Sequence, residues 1–202
     1  MVKRSIKGRL EVISGSMFSG KSEELIRRVR RAELAYLKTS VFKHSFDDRM
    51  SVNSIDTHNG DKLNAISIKD PEEIKKNITE ETQIVAIDEV QFFKPEIVRT
   101  ILDLVEDGKK VIAAGLDLDF RGVPFGPIPP LLAIADRITK LYAVCMTCGN
   151  DAHYSQRLIN GRAAKFNDPI VLIGAQDVYQ ARCRDCFIID NVGWKPLIMN
   201  VA

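Results

Sequence analysis

Gly15-Ser16-Met17-Phe18-Ser19-Gly20-Lys21-Ser22 fits the pattern G-x-x-x-x-G-K-[ST], and its surroundings decide what the pattern means. Before it, Leu10-Glu11-Val12-Ile13-Ser14 is a short apolar stretch with strand character. After it, Leu25, Ile26, Val29, Ala32 and Tyr36 recur at helical spacing, which predicts a helix through Lys38. A strand, a glycine-containing turn and a helix in that order make a phosphate-binding loop. The two glycines let backbone N–H groups face phosphate oxygens, and the helix N-terminus adds partial positive charge. Lys21 is then placed to reach the β- and γ-phosphates and Ser22 to ligate Mg²⁺. The stretch points to a bound nucleoside triphosphate.

A chain of 202 residues has room for one substantial core with a small appended module. Its formal charge of +2 gives no whole-molecule attraction to nucleic acid or to a membrane surface. The basic run Arg27, Arg28, Arg30, Arg31 reads as a solvated helix face. The N-terminal residues carry basic groups without an apolar core, and no apolar run reaches the length of a membrane span, so the expectation is a cytoplasmic protein.

The four cysteines form two C-x-x-C pairs, Cys145 with Cys148 and Cys183 with Cys186. Two such pairs read as the knuckles of a tetrahedral, structural zinc site. A redox dithiol would need one pair only, and persistent disulfides are disfavoured in a reducing compartment. The spacer between the pairs is long for a zinc ribbon, so something structured must lie within it.

From Gly8 to about Ala143 strands and helices alternate. Strands are expected at Ser40 to Ser45, Leu63 to Ile68, Gln83 to Ile87, Lys110 to Leu116 and Ile138 to Val144. A helix starts at Asp70-Pro71-Glu72-Glu73, with Asp70 as N-cap and Glu73 completing a capping box, and another runs from Pro95 to Gly108. The polar stretch Phe46 to Asp61 and the segment Asn160 to Asp168 read as loops, and short strands are expected at His153 to Ile159 and Pro169 to Ile173. The fold class that follows is α/β: a P-loop, RecA-like, mainly parallel sheet with helices on both faces, plus a small β-rich zinc-binding domain. The expected division is 1–143 for the nucleotide-binding domain, 144–191 for the zinc domain and 192–202 for a tail.

Ile84-Val85-Ala86-Ile87-Asp88-Glu89 is an apolar strand ending in two carboxylates. Its C-terminal end belongs beside the phosphate loop, where Asp88 can hold Mg²⁺ and Glu89 can take a proton from an attacking hydroxyl or water. Arg49, close to Asp47 in the polar loop, is a weaker candidate for charge on the transferred phosphoryl group. Phe120, in Gly115-Leu116-Asp117-Leu118-Asp119-Phe120-Arg121-Gly122, is either a platform for a nucleobase or a core residue.

Taken together, the residues resemble the type II (cellular and bacterial) thymidine kinases from Gly8 to about Cys186. The motifs that carry the resemblance are the phosphate loop with its Met-Phe, Asp88-Glu89-Val90-Gln91-Phe92-Phe93, Gly115 to Gly122, Pro124-Phe125-Gly126 and the two cysteine pairs. The resemblance implies transfer of the γ-phosphate of ATP to the 5′-hydroxyl of thymidine, with Glu89 as the base. It places Asp47, Arg49 and Gln91 with the phosphate loop on the ATP side, and Phe120 against thymine. A lasso loop, here Asn160 to Tyr179, closes over the nucleoside with the backbone of Ile170, Val171, Leu172, Ile173 and Gly174 reading the base edges. Met17, Leu116, Ser155 and Tyr179 line the same pocket. It further implies Mg²⁺ with ATP, structural Zn²⁺, feedback inhibition by dTTP and a homotetramer. A zinc module that grips DNA would instead need a basic, aromatic-rich surface, and a guanine-reading switch would need an N-K-x-D motif that the sequence lacks.

Overall fold

The computed structural model describes residues 8–45, 54–56, 60, 62–170 and 178–189. The expectations on Asp47, Arg49, Val171 to Gly174 and the C-terminal tail lie outside those residues.

Strand β1 (Arg9–Gly15) runs into the phosphate loop and then into helix α1 (Lys21–Leu34). Next come β2 (Thr39–His44), the short strands β3 (Ser54–Asp56), β4 (Lys62–Asn64) and β5 (Ile66–Ile68), and helix α2 (Glu72–Lys76). Strand β6 (Ile84–Asp88), helix α3 (Ile97–Glu106), strand β7 (Lys110–Gly115), helix α4 (Ile128–Ile134) and strand β8 (Arg137–Leu141) complete the larger part. Six strands form one sheet in the order β5-β2-β6-β7-β1-β8, with every pairing parallel. Strands buried on both faces read as unbroken apolar runs. Period-two alternation sends Val85 and Ile87 of β6 to one face and Ile84 and Ala86 to the other. Helix α1 covers the second face, and α2, α3 and α4 supply Ile74, Ile101 and Leu131 to the first.

The reciprocal hydrogen bonds of the expected capping box form, although the helix starts one residue later, at Glu72 after Pro71. Asp70 Oδ1 accepts from the Glu72 amide at 3.0 Å, and Glu73 Oε1 accepts from the Asp70 amide at 3.0 Å. Helix α1 stops earlier than its spacing predicts. Tyr36 takes a left-handed φ of 59° and is 94% exposed, while the Leu37 amide folds back on the Ala32 carbonyl. The expected strand Leu63 to Ile68 divides, because β4 pairs with β3 outside the main sheet and β5 joins its edge beside β2. The expected strand Ile138 to Val144 also divides, with β8 in the main sheet and β9 (Ala143–Val144) turning to pair with β10 (Asp151–Ala152). Helix α4 carries Pro129 and Pro130 in its first turn. There the missing N–H groups have no intrahelical partner to lose, so proline is no sign against a helix.

The zinc-side module holds β11 (Tyr154–Ile159) between β12 (Arg162–Ala163) and β13 (Val178–Arg182), all antiparallel. Part of the expected loop Asn160 to Asp168 is therefore a hairpin, turned at Asn160 and Gly161. No described helix is long and apolar enough to cross a membrane.

The basic run of α1 is not uniformly solvated. Arg28 donates to Glu24 on its own helix, to Glu11 of β1 and to Thr139 of β8, each at 2.8 Å. The hydrogen bond from Arg27 does most to hold the Glu24 carboxyl down, at about 2; burial opposes it and Arg28 assists. A carboxyl depressed on folding stabilises the native state above its unfolded pKa of about 4.3, and that contribution fades as pH falls towards the folded value. Urea titrations of Glu24→Gln should therefore show a lower midpoint than the parent at pH 7, with the gap closing as the medium is acidified below pH 4. A gap independent of pH would disprove the assignment.

Candidate functional site

The phosphate loop leaves β1 at Gly15, where the chain passes so close to β8 that a Cβ would sit 2.3 Å from the Leu141 carbonyl oxygen. Only glycine fits that approach. The loop then curls back on itself: the Ser19 hydroxyl and the Lys21 ammonium both donate to the Ser16 carbonyl, at 2.8 and 2.7 Å. Phe18 is half-exposed in a left-handed conformation, φ 64°. Burial pulls the Lys21 pKa below its ordinary value, against the charges of Glu89, Asp88 and Asp117 that face it.

Strand β7 lies between the loop-bearing β1 and the carboxylate-bearing β6, yet the first turn of α1 reaches across. Ser22 Oγ donates to Asp88 Oδ2 at 2.9 Å, and the Glu89 amide donates to Asp88 Oδ1 at 2.9 Å. Asp88 is 4% exposed, and burial together with the neighbouring charge of Glu89 raises its pKa to about 7. A buried carboxylate beside a hydroxyl and a second acid is short of positive charge. Hard oxygen donors in that state suit a divalent cation such as Mg²⁺. Glu89 itself adopts a left-handed backbone, φ 55° and ψ 38°, before a 3₁₀ turn at Val90–Phe92. Its carboxylate accepts from Gln91 Nε2.

The loop after β7 brings a third carboxylate. Asp117 is 7% exposed and bonds Lys140 of β8 at 2.8 Å. Asp119 accepts the Arg121 guanidinium and the Arg121 and Val123 amides, which closes the turn that carries Phe120. Phe120 is 4% exposed, with the Arg157 guanidinium 5.1 Å from its ring centroid. Arg157, fully buried on β11, also donates to the Pro169 carbonyl at 2.6 Å. Arg157, Asp117 and Lys140 belong to no sequence motif that marks them as site residues. An arginine in the strand Tyr154 to Ile159 was the available signal for Arg157, since buried arginines are rare.

The zinc-side module packs directly on the phosphate loop. Ser16 Oγ donates to the Ala152 carbonyl at 3.1 Å, and the Met17 amide donates to Ser155 Oγ at 2.9 Å. Met17 and Ser155 are thus brought together, with the Met17 amide engaged. Tyr179 lies opposite Arg157 in the β11–β13 ladder, and Ile170 is 38% exposed at the end of the described hairpin segment.

Cys145, Cys148, Cys183 and Cys186 place their sulfurs within 4.8 Å of one another, and all four are free thiols. Tetrahedral zinc with bonds of about 2.3 Å sets its sulfurs about 3.8 Å apart, and the Cys148 and Cys183 sulfurs are 3.5 Å apart. For Cys145, burial is outweighed by amide groups of Cys183, Thr147 and Cys148 that bring it down to about 6. Hydrogen bonding to Cys183 and Cys148 pushes Cys186 up to about 12. Four cysteine sulfurs this close match the spacing of tetrahedral ligands, so the donor set fits Zn²⁺. With four protein ligands the coordination sphere would be closed, which suits a metal that holds structure.

A family model described as Thymidine kinase matches residues 8–187. Among solved structures, the chain is similar to the genome packaging NTPase B204 from Sulfolobus turreted icosahedral virus 2, solved in complex with ATP-gammaS. That match has 16% identity over 67% of this chain and 75% of the other, with a TM-score of 0.43. It is also similar to the Pif1 helicase from Candida albicans, at 15% identity over 66% of this chain and 36% of that one, TM-score 0.40.

Because the cysteine cluster anchors the segment that bonds Ser16 and Met17, Cys148→Ala should lose bound zinc and weaken triphosphate binding together. Metal analysis and equilibrium binding check this. Zinc loss with unchanged triphosphate affinity would refute the mechanical link.

Proposed function

Since the chain belongs to the thymidine kinase family, we propose that it transfers the γ-phosphate of ATP to the 5′-hydroxyl of thymidine, giving dTMP and ADP. The observation that carries the reading is the approach of Ser22, Asp88 and Glu89 beside the phosphate loop, with Ser155 bonded to Met17 of that loop. Phosphoryl transfer asks a protein for positioning and for positive charge on the transferred group, with little covalent chemistry of its own.

In this reading the loop amides and the N-terminus of α1 hold the phosphates, and Lys21 leaves the Ser16 carbonyl to reach the β- and γ-oxygens. Glu89 accepts the proton of the 5′-hydroxyl as its oxygen bonds to the γ-phosphorus. The bond from that phosphorus to the β–γ bridging oxygen breaks, and ADP departs with the electron pair. Magnesium, held by Ser22 and Asp88, would neutralise charge that develops on the β- and γ-oxygens. Arg49 and Asp47 are proposed on the phosphate side by resemblance. Phe120 is proposed to back the thymine with a ring face that Arg157 does not cover. Met17, Leu116, Tyr179 and the backbone from Ile170 to Gly174 complete the pocket in this proposal. The same resemblance supports end-product inhibition by dTTP and a homotetramer, and the basic N-terminal residues without an apolar core support a cytoplasmic setting.

Incubation with labelled ATP and a panel of nucleosides tests the reaction. Labelled dTMP should form with thymidine present, and ATP hydrolysis indifferent to thymidine would remove the proposal. Glu89→Gln should lower kcat by about 10²- to 10⁴-fold with ATP affinity near the parent value. Turnover equal to the parent would take the base role from Glu89.

A further inference from the structure

We infer that Gln91 is a positioning residue: it holds the Glu89 carboxylate and ties it to the pocket wall at Leu116. The inference rests on the kinase reading above and deepens it, since the resemblance places Gln91 only on the nucleotide side.

A carboxamide has one oxygen that accepts and one nitrogen that donates, so a single well-made bond fixes which end is which. Here the Leu116 amide donates to Gln91 Oε1 at 3.0 Å. The nitrogen therefore faces Glu89 and donates to its Oε2. Gln91 is 2% exposed, so water cannot substitute for either contact. The fold makes space for this arrangement with two glycines. A Cβ on Gly115 would lie 2.5 Å from Gln91 Oε1, and one on Gly126 would lie 2.3 Å from the Gln91 carbonyl oxygen.

Glu89 needs such support. Its left-handed backbone is an uncommon conformation for a glutamate and persists where surrounding contacts enforce it. The Asp88 carboxylate fixes its amide and Gln91 fixes its carboxylate, so both ends of the residue are held. Leu116 stands at the end of the β7 strand and in the proposed base pocket. Gln91 therefore sets the distance between the group that takes the 5′-hydroxyl proton and a wall that contacts the base.

The test uses the full chain with zinc bound and two variants. Gln91→Glu keeps the side-chain length and an acceptor for the Leu116 amide, but replaces the donor to Glu89 with a like charge. Gln91→Met removes both contacts. Displacing a reacting group by about 1 Å costs about 10²-fold, so Gln91→Glu should lose about tenfold to hundredfold in kcat with ATP and thymidine dissociation constants unchanged. Gln91→Met should lose kcat and also weaken thymidine, since the Leu116 amide is left without its acceptor. Zinc content and melting midpoint serve as folding controls, and Gln91→Met carries the test if Gln91→Glu does not fold. Unchanged kcat in the folded variants would overturn the inference. So would a rise in the ATP dissociation constant matching the loss of kcat, which would place Gln91 on the nucleotide. Absence of thymidine-dependent turnover in the parent chain would instead sink the kinase reading. The same comparison is then made on ATP hydrolysis, where Glu89 faces water.

Discussion

The carboxylate of Asp88 is buried at the end of a parallel strand, and the surrounding structure is arranged around that fact. Burial of a charge costs several kcal/mol unless hydrogen bonds or opposite charge compensate it. Here the Ser22 hydroxyl and the Glu89 amide supply the hydrogen bonds. Lys21 faces the group as well, with its own charge disfavoured by burial. The site is thus electrostatically incomplete as a set of side chains, a state that a triphosphate with a divalent cation would complete on both sides.

Geometry follows from that constraint. For Ser22 to reach Asp88, α1 must start immediately after the loop and lie across the sheet face between β1 and β6. The parallel order β6-β7-β1 then brings the loop after β7 to the same edge, carrying Asp117 and Phe120 with it. Ligands collect at the carboxyl ends of such strands because every loop there converges on one crevice. The zinc-side module adds a second support: Ala152 and Ser155 hold Ser16 and Met17 from outside the sheet. The module that carries the four cysteines thus touches the phosphate loop through two hydrogen bonds.

The central sheet was legible wherever a strand or helix had one continuous partner. β1, β6 and β7 stood out as apolar runs, and α3 through its spacing and its terminal Gly108. Errors came where partners change within one pattern. Leu63 to Ile68 alternates without interruption, but its two halves serve different sheets. Ile138 to Val144 likewise crosses from the main sheet to the zinc-side module at Tyr142. Tyr36 kept helical spacing and is nevertheless solvent-exposed, because the backbone had already reversed at that position.

The phosphate loop, the pair Asp88 and Glu89, the two cysteine pairs and the α/β class are readable from the chain alone. Each is carried by short local motifs, the cysteines as two C-x-x-C pairs, so spacing within each motif carries the physics. The tertiary structure alone decided the contacts of Met17 with Ser155, Gln91 with Leu116 and Arg157 with Phe120. These join residues far apart in the chain, and a hydrogen bond or a cation over a ring leaves no periodic trace in either segment. Their partners become readable only when the sheet order and the packing of the zinc-side module bring the segments together.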